Sequence, residues 1–207
     1  MSTSLQAPAP PKSPSQRPSS GGSALCPRCS GPFDRRSATC PSCQFSLATA
    51  RQAFPFAAPP LDFVVDPARF LPEGAIEELQ APYHALQARF PQLALTLALL
   101  KLAPGTSPRE FAFWWFNDAP GGSEERQWHL LLLVDAQSGT LCLTPGYALE
   151  SAVLSRPWAE SLSTTAATVV SQGLSEALRT FLTDARTLLD AHWLQTRAEQ
   201  ASPPDQP

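Results

Sequence analysis

The chain of 207 residues reads as an α/β protein, with helices packed on a small mixed sheet and a small N-terminal zinc ribbon in front of it. Three observations predict this. Two C-P-x-C knuckles, Cys26-Pro27-Arg28-Cys29 and Cys40-Pro41-Ser42-Cys43, stand near the N-terminus. Beyond residue 60, apolar runs of strand length alternate with stretches that carry apolar residues at helical spacing. Charge divides at the same place: residues 1–60 hold six Lys/Arg and one Asp, and the remainder holds nine Lys/Arg and seventeen Asp/Glu. A basic front and an acidic body mark two modules with different surfaces.

Residues 1–24 are rich in Pro, Ser, Gln and Gly and offer almost nothing to bury, so they are expected to be disordered. The ribbon occupies residues 25–49. Each knuckle brings two thiolates to one ion, and Cys26, Cys29, Cys40 and Cys43 together complete a tetrahedral S₄ shell around Zn²⁺ with bonds near ~2.3 Å. Such a shell has no open position, so the zinc is structural. The competing reading is redox chemistry, but a C-x-x-C redox pair normally opens a helix in a thioredoxin-like unit. Here turn-forming and polar residues follow each pair, and the duplication favours metal. Phe33 and Phe45 are the expected apolar lids over the sulfurs, and Arg35 and Arg36 project from the connecting loop. The fifth cysteine, Cys142 in Leu141-Cys142-Leu143, reads as a small buried hydrophobe. Four metal-bound thiolates and one buried thiol fit a reducing compartment. Residues 50–60, ending Ala57-Ala58-Pro59-Pro60, read as a semi-stiff linker that transmits little between the modules.

The larger domain spans 61–198. It opens with an extended run, Leu61–Val65, followed by Asp66-Pro67. Ile76, Leu79, Tyr83, Leu86 and Phe90 then recur at spacings of three and four, one face of a helix. Pro82 lies within it and predicts a kink or break, because it removes a hydrogen bond at a cost of about 3 kcal/mol. Leu93–Leu102 is a buried strand. Ser107-Pro108-Arg109-Glu110 predicts a helix start, with Ser as N-cap, Pro at the first helical position and Glu completing a capping box. That helix carries Phe111, Phe113, Trp114, Trp115 and Phe116; consecutive aromatics cannot all face one core, so the cluster is also a candidate partner surface. Trp128–Val134 and Thr140–Thr144 are strands joined at a hairpin, 135–139. A short helix through Glu150 and a turn at Pro157 follow. Leu174, Leu178, Phe181, Ala185, Leu188 and His192 stripe a last helix from about Ser163 to Ala198, and the polar, Pro-rich tail 199–207 is expected to be disordered.

The element order β-α-β-α-β-β-α-α implies helices packed on a small mixed sheet. The crossover helix at 107–117 makes strands 93–102 and 128–134 parallel, and strand 140–144 lies antiparallel to its hairpin partner.

In the order and pattern of its elements, the stretch 61–195 resembles the TPM domain family, also described as phosphatase-like. The matching segments are Val65-Asp66 before the first helix, Ser107 through Phe116-Asn117 on the second, Leu131–Asp135 in the central strand, and Gly146-Tyr147-Ala148-Leu149-Glu150 after the hairpin. The resemblance implies an α/β/α sandwich. It also implies that acids at strand ends bind a divalent cation or support acid phosphatase activity. Asp66 and Glu150 match two of those acids and are the candidate catalytic residues. Ser155 stands where the family pattern favours a further acid, and Trp128-His129 stands where it often has Arg or Asn with Gly.

Divalent-ion phosphoryl chemistry needs carboxylates that converge on a hard cation. Asp66, Glu150 and Asp135 meet that need only if their strand ends come together. The plainer roles are a helix cap for Asp66, a turn residue for Asp135 and a solvated helical position for Glu150. His84, His129 and His192 lie on separate elements without ligand spacing. Gly173-Leu174-Ser175-Glu176-Ala177 echoes a nucleophile elbow but lacks the strand that motif requires. Arg28, Arg35, Arg36 and Arg51 are too few to make a nucleic-acid surface, and the acidic body argues against one. Residues 1–25 have no apolar core of a signal peptide, and Leu93–Ala103, interrupted by Lys101, is too short to cross a bilayer. These residues predict a soluble, cytoplasmic, two-module protein whose partner is another protein and whose role is interaction or assembly. The alternative is a divalent-metal-dependent phosphatase.

Overall fold

The computed structural model describes residues 23–34, 37–122 and 124–201. Hairpin β1 (Ser23–Leu25) and β2 (Pro32–Asp34) and helix α1 (Leu47–Ala53) form the N-terminal part. Strand β3 (Val64–Val65), helix α2 (Ala75–Arg89), strand β4 (Ala94–Leu100) and helix α3 (Pro108–Asp118) follow. Strands β5 (His129–Asp135) and β6 (Thr140–Pro145) and helices α4 (Glu150–Val153), α5 (Arg156–Gln172) and α6 (Leu174–Ala201) complete the chain. The sheet runs β3-β4-β5-β6, with β3, β4 and β5 parallel and β6 antiparallel to β5, the mixed topology expected.

Alternation along the strands splits the core in two. Leu95, Leu97, Leu99, Leu130, Leu132 and Val134 face one side, against Leu79 and Leu86 of α2 and Leu178, Phe181 and Leu182 of α6. Ala98, Leu131 and Leu133 face the other, against Trp114 and Trp115 of α3. All seven residues of β5 are buried, as a parallel strand with both faces covered must be. Ser107 caps α3 by accepting from the Glu110 amide, with Pro108 in the first turn.

Three expectations are corrected. Helix α2 runs unbroken through Pro82, so of the expected kink or break the break is not found; packing of Leu79 and Leu86 on either side of it outweighs the lost backbone bond. The last helix is two helices, α5 and α6, divided at Gly173, whose φ of +91° is a conformation other residues rarely adopt. α6 then extends to Ala201, into the expected tail. The third concerns the segment 50–60, which is not a bare linker. Its first residues complete α1, capped by Ser46, and the segment packs on α3. Ala50 and Ala58 are buried, Phe54 and Phe56 lie 5.2 and 4.8 Å from Trp114 between ring centroids, and Trp115 Nε1 donates to the Pro59 carbonyl. The expected disorder of 1–24 and 199–207 falls mostly on residues outside those described; Ser23 and Ala24 are in β1.

Candidate metal centre

The two knuckles fold alike. In the first, the Ser30 amide donates to the Cys26 carbonyl and the Cys26 amide to that of Gly31; in the second, Gln44 donates to Cys40 and Cys40 to Phe45. Ser30 and Gln44 sit at φ of 59° and 60°, the left-handed turn that closes each loop. A Cβ on Gly31 would stand 3.3 Å from Cys29 Sγ, so glycine leaves room beside the sulfur.

The four sulfurs lie within 4.8 Å of one another. Cys26 Sγ is 3.5 Å from Cys43 Sγ, and Cys29 Sγ is 3.8 Å from Cys40 Sγ. An ion about 2.3 Å from four tetrahedral sulfurs spaces them by about 3.8 Å, so the set could hold a metal ion such as zinc. The electrostatics agree. The Cys43 amide, with that of Ser42, brings the Cys40 thiol down to about 7. At Cys43 the Phe45 amide pulls down, but burial and the other sulfurs push the thiol up to about 12. Four sulfurs this close carry full charge together only around a cation. Phe45 is buried, in the same cluster as Cys26 and Cys40; the Phe33 side chain, the other expected lid, and Arg35 and Arg36 lie outside the described residues.

The first knuckle also holds the ribbon on the body. Arg28, between two of the cysteines, donates from Nε and Nη2 to the two Glu110 oxygens at 3.0 and 2.8 Å and lies 4.8 Å over the Phe45 ring. Phe45 in turn meets Phe113 edge-on at 5.3 Å. Arg51 donates to Asp118, and Arg109 to Ser30 Oγ. Glu110, read as half of a capping box, is instead the body's half of this contact. Two of the four arginines weighed as phosphate ligands are therefore committed to carboxylates of α3. Trp114, Trp115 and Phe116 are all buried, because α3 has the sheet on one side and the ribbon with α1 on the other.

The candidate acids do not converge. Asp66 directly follows β3 and accepts from the Phe70 and Leu71 amides, both at 2.9 Å, so its carboxylate closes its own turn rather than capping α2. Glu150 follows β6, whose last residue, Pro145, pairs with Leu130 near the start of β5. The two acids lie at opposite edges and opposite ends of the sheet, on the order of 15 Å or more apart at ordinary strand spacing. Asp135 is buried at the end of β5, beside the hairpin. Burial raises its pKa, but donation from Ser138 and from the Leu102 and Gln137 amides holds it below the usual value. Ser155 is the N-cap of α5. Among the described residues, the four cysteines are the group of three or more His, Cys, Asp or Glu whose ligand atoms come together.

The histidines stay separate. His129 is buried against Thr96 Oγ1 at 2.9 Å, and burial, with the nearby Arg126 charge, lowers its pKa to about 4. His84 is exposed beside Tyr83, and His192 packs on Trp193. A groove of about 490 Å³ runs between the ribbon and the β6 side of the body, walled by Phe45, Phe113, Phe116, Cys142, Tyr147 and Glu150 among others. Gly146 shapes its floor: a Cβ there would stand 2.0 Å from the Arg126 carbonyl oxygen.

No family model and no curated protein matches the chain. Among solved structures it is similar to the solution NMR structure of the N-terminal domain of a protein from P. gingivalis. The TM-score is 0.50 and the identity 16%, over 69% of this chain and 88% of that one. At that identity the likeness concerns the fold alone. No helix among the described residues is long and apolar enough to cross a membrane.

Proposed function

We propose that this chain is a TPM-like α/β domain closed on one face by a zinc ribbon, and that it acts as a protein-interaction or assembly factor for another protein. Cys26, Cys29, Cys40 and Cys43 hold a structural Zn²⁺ that stiffens the two knuckles. The units are then the ribbon with its docking segment, to about residue 60, and the α/β body beyond it. The observation that carries the reading over the phosphatase alternative is the use made of Asp66. Both its oxygens accept backbone amides, at the far end of the sheet from Glu150. A divalent ion held by oxygen ligands needs those carboxylates side by side.

Two measurements on the full chain test this. Elemental analysis of freshly prepared, reduced protein gives one zinc per chain; no zinc sinks the metal assignment. Hydrolysis of an aryl phosphate, followed over about pH 5–8 with Mg²⁺, Mn²⁺ or Ca²⁺, stays at background. Metal-dependent turnover abolished by Asp66→Asn or Glu150→Gln replaces the interaction role with the phosphatase.

A further inference from the structure

The two edges of the central sheet are protected unequally. At one edge, β3 is two residues long, too short to template another strand. At the other, β6 runs for six residues, Thr140-Leu141-Cys142-Leu143-Thr144-Pro145, without a charge. Its backbone phase follows from register. Gly146 donates to the His129 carbonyl, so alternate pairs back along the ladder, Thr144 with Leu131, Cys142 with Leu133 and Thr140 with Asp135, exchange hydrogen bonds with β5. The N–H and C=O groups of Leu141 and Leu143 therefore point away from the sheet. Among the described residues, no hydrogen bond from another element reaches them. Exposed apolar side chains, Tyr147 and Leu154, follow the strand at 58% and 54%.

The segment is also a palindrome, Thr-Leu-Cys-Leu-Thr, centred on Cys142. A strand related to β6 by a two-fold axis through Cys142 sets Leu141 opposite Leu143 and Thr140 opposite Thr144 in both directions. The two outward-facing residues are then the ones that meet, so their four donors and acceptors pair completely. Pro145, without an N–H, ends the ladder where the hairpin turn of the other copy begins. The axis brings two Cys142 residues together in a non-hydrogen-bonded pair, with Cα atoms about 4.5 Å apart, within disulfide reach. We propose, independently of the role argued above, that β6 is a self-pairing edge. Two copies of this chain join antiparallel through Thr140–Thr144 into one continuous eight-stranded sheet. The occupant is a second copy because the register that satisfies the open backbone groups also maps the sequence onto itself.

Sedimentation and light scattering of the full chain in reducing buffer test the pairing. The wild type is expected to be a dimer. T140K/T144K places like charges opposite each other at both ends of the ladder and weakens dimerisation by about tenfold or more. T140E/T144K, which makes both pairs opposite in charge, restores it and shows that the lysine at 144 is compatible with folding. Mild oxidation then gives a Cys142–Cys142 cross-linked peptide by mass spectrometry, absent in Cys142→Ser. A monomer at about 100 μM, far above the affinity of a specific dimer, overturns the proposal. So does a dimer indifferent to T140K/T144K, or a stable complex in which a different protein's strand occupies β6.

Discussion

Removing the metal should undo more than the ribbon. Cys40→Ser, or chelation of zinc, frees the knuckle that holds Arg28 against Glu110 and Phe45 against Phe113. The contact that opens involves Phe45, Phe54, Phe111, Phe113 and Trp114, each of which buries about 150–250 Å² in a folded protein. If the ribbon masks about half of each, roughly 400 Å² returns to water, an upper figure of about 10 kcal/mol at 25 cal/mol per Å². Residual collapse of the freed segment reduces this by about 10–40%, to about 6–9 kcal/mol. A loss of that size lowers the midpoint of a domain of this length by about 12–36 °C. The assay is thermal unfolding followed by tryptophan emission, with and without chelator, alongside Cys40→Ser. The expected result is a lower midpoint and red-shifted emission before the main transition, as Trp114 meets water. An unchanged midpoint and emission in zinc-free protein would refute the docking argument and restore the picture of a ribbon on a passive linker.

Three further outcomes follow from the body. Leu178→Ala and Phe181→Ala each cost about 2–5 kcal/mol in denaturant unfolding, since both side chains are wholly buried between α6 and the sheet; changes under half a kilocalorie in both would mean α6 is not docked. Gly146→Ala should cost more than about 3 kcal/mol, because its Cβ would overlap backbone carbonyl oxygens rather than a yielding side chain; a near-neutral variant would contradict the close approach of 126–127. His129 titrates near 4 in the folded state and near about 6.5 unfolded, so the unfolded chain binds the extra proton between those values. Its contribution is complete above about pH 6.5 and is lost as pH falls towards 4, at up to about 1.4 kcal/mol per pH unit. Stability measured over that window should fall less steeply in His129→Gln, and identical slopes would remove His129 as the cause.

The sheet was legible because its signals are local. A continuous apolar run in β5, a Ser-Pro helix start at 107–108 and a hairpin at 135–139 each determine one element, and connection rules assemble them. The knuckles were equally plain, since the cysteine spacing is itself the geometry of the site. The breaks in helix α5–α6 and the continuity of α2 were not legible. Gly173 stands just ahead of the stripe that begins at Leu174, inside a span that reads as one helix, whereas Pro82 lies in a helix whose packing overrides it. Nor did the candidate acids declare their roles: only tertiary placement shows that Asp66 serves its own turn and that Glu150 follows the opposite end of an antiparallel strand.

The docking of the ribbon is the largest feature the sequence held without yielding, and two of its signals were present. A helix with Phe111, Phe113, Trp114, Trp115 and Phe116 has apolar side chains around most of its circumference, the pattern of a helix buried on more than one side. The sheet supplies only one cover, so a second had to come from elsewhere in the chain, and the phenylalanines at 45, 54 and 56 are what meets it. The other signal was charge. A basic first 60 residues beside an acidic remainder suggested modules facing different partners, yet Arg28 and Arg51 face Glu110 and Asp118 of the same chain. For these two arginines the asymmetry is complementarity between two layers of one molecule. With Arg28 and Arg51 consumed in this way, neither is left for a phosphate, and a metal held by the four cysteines would serve the core that the ribbon covers.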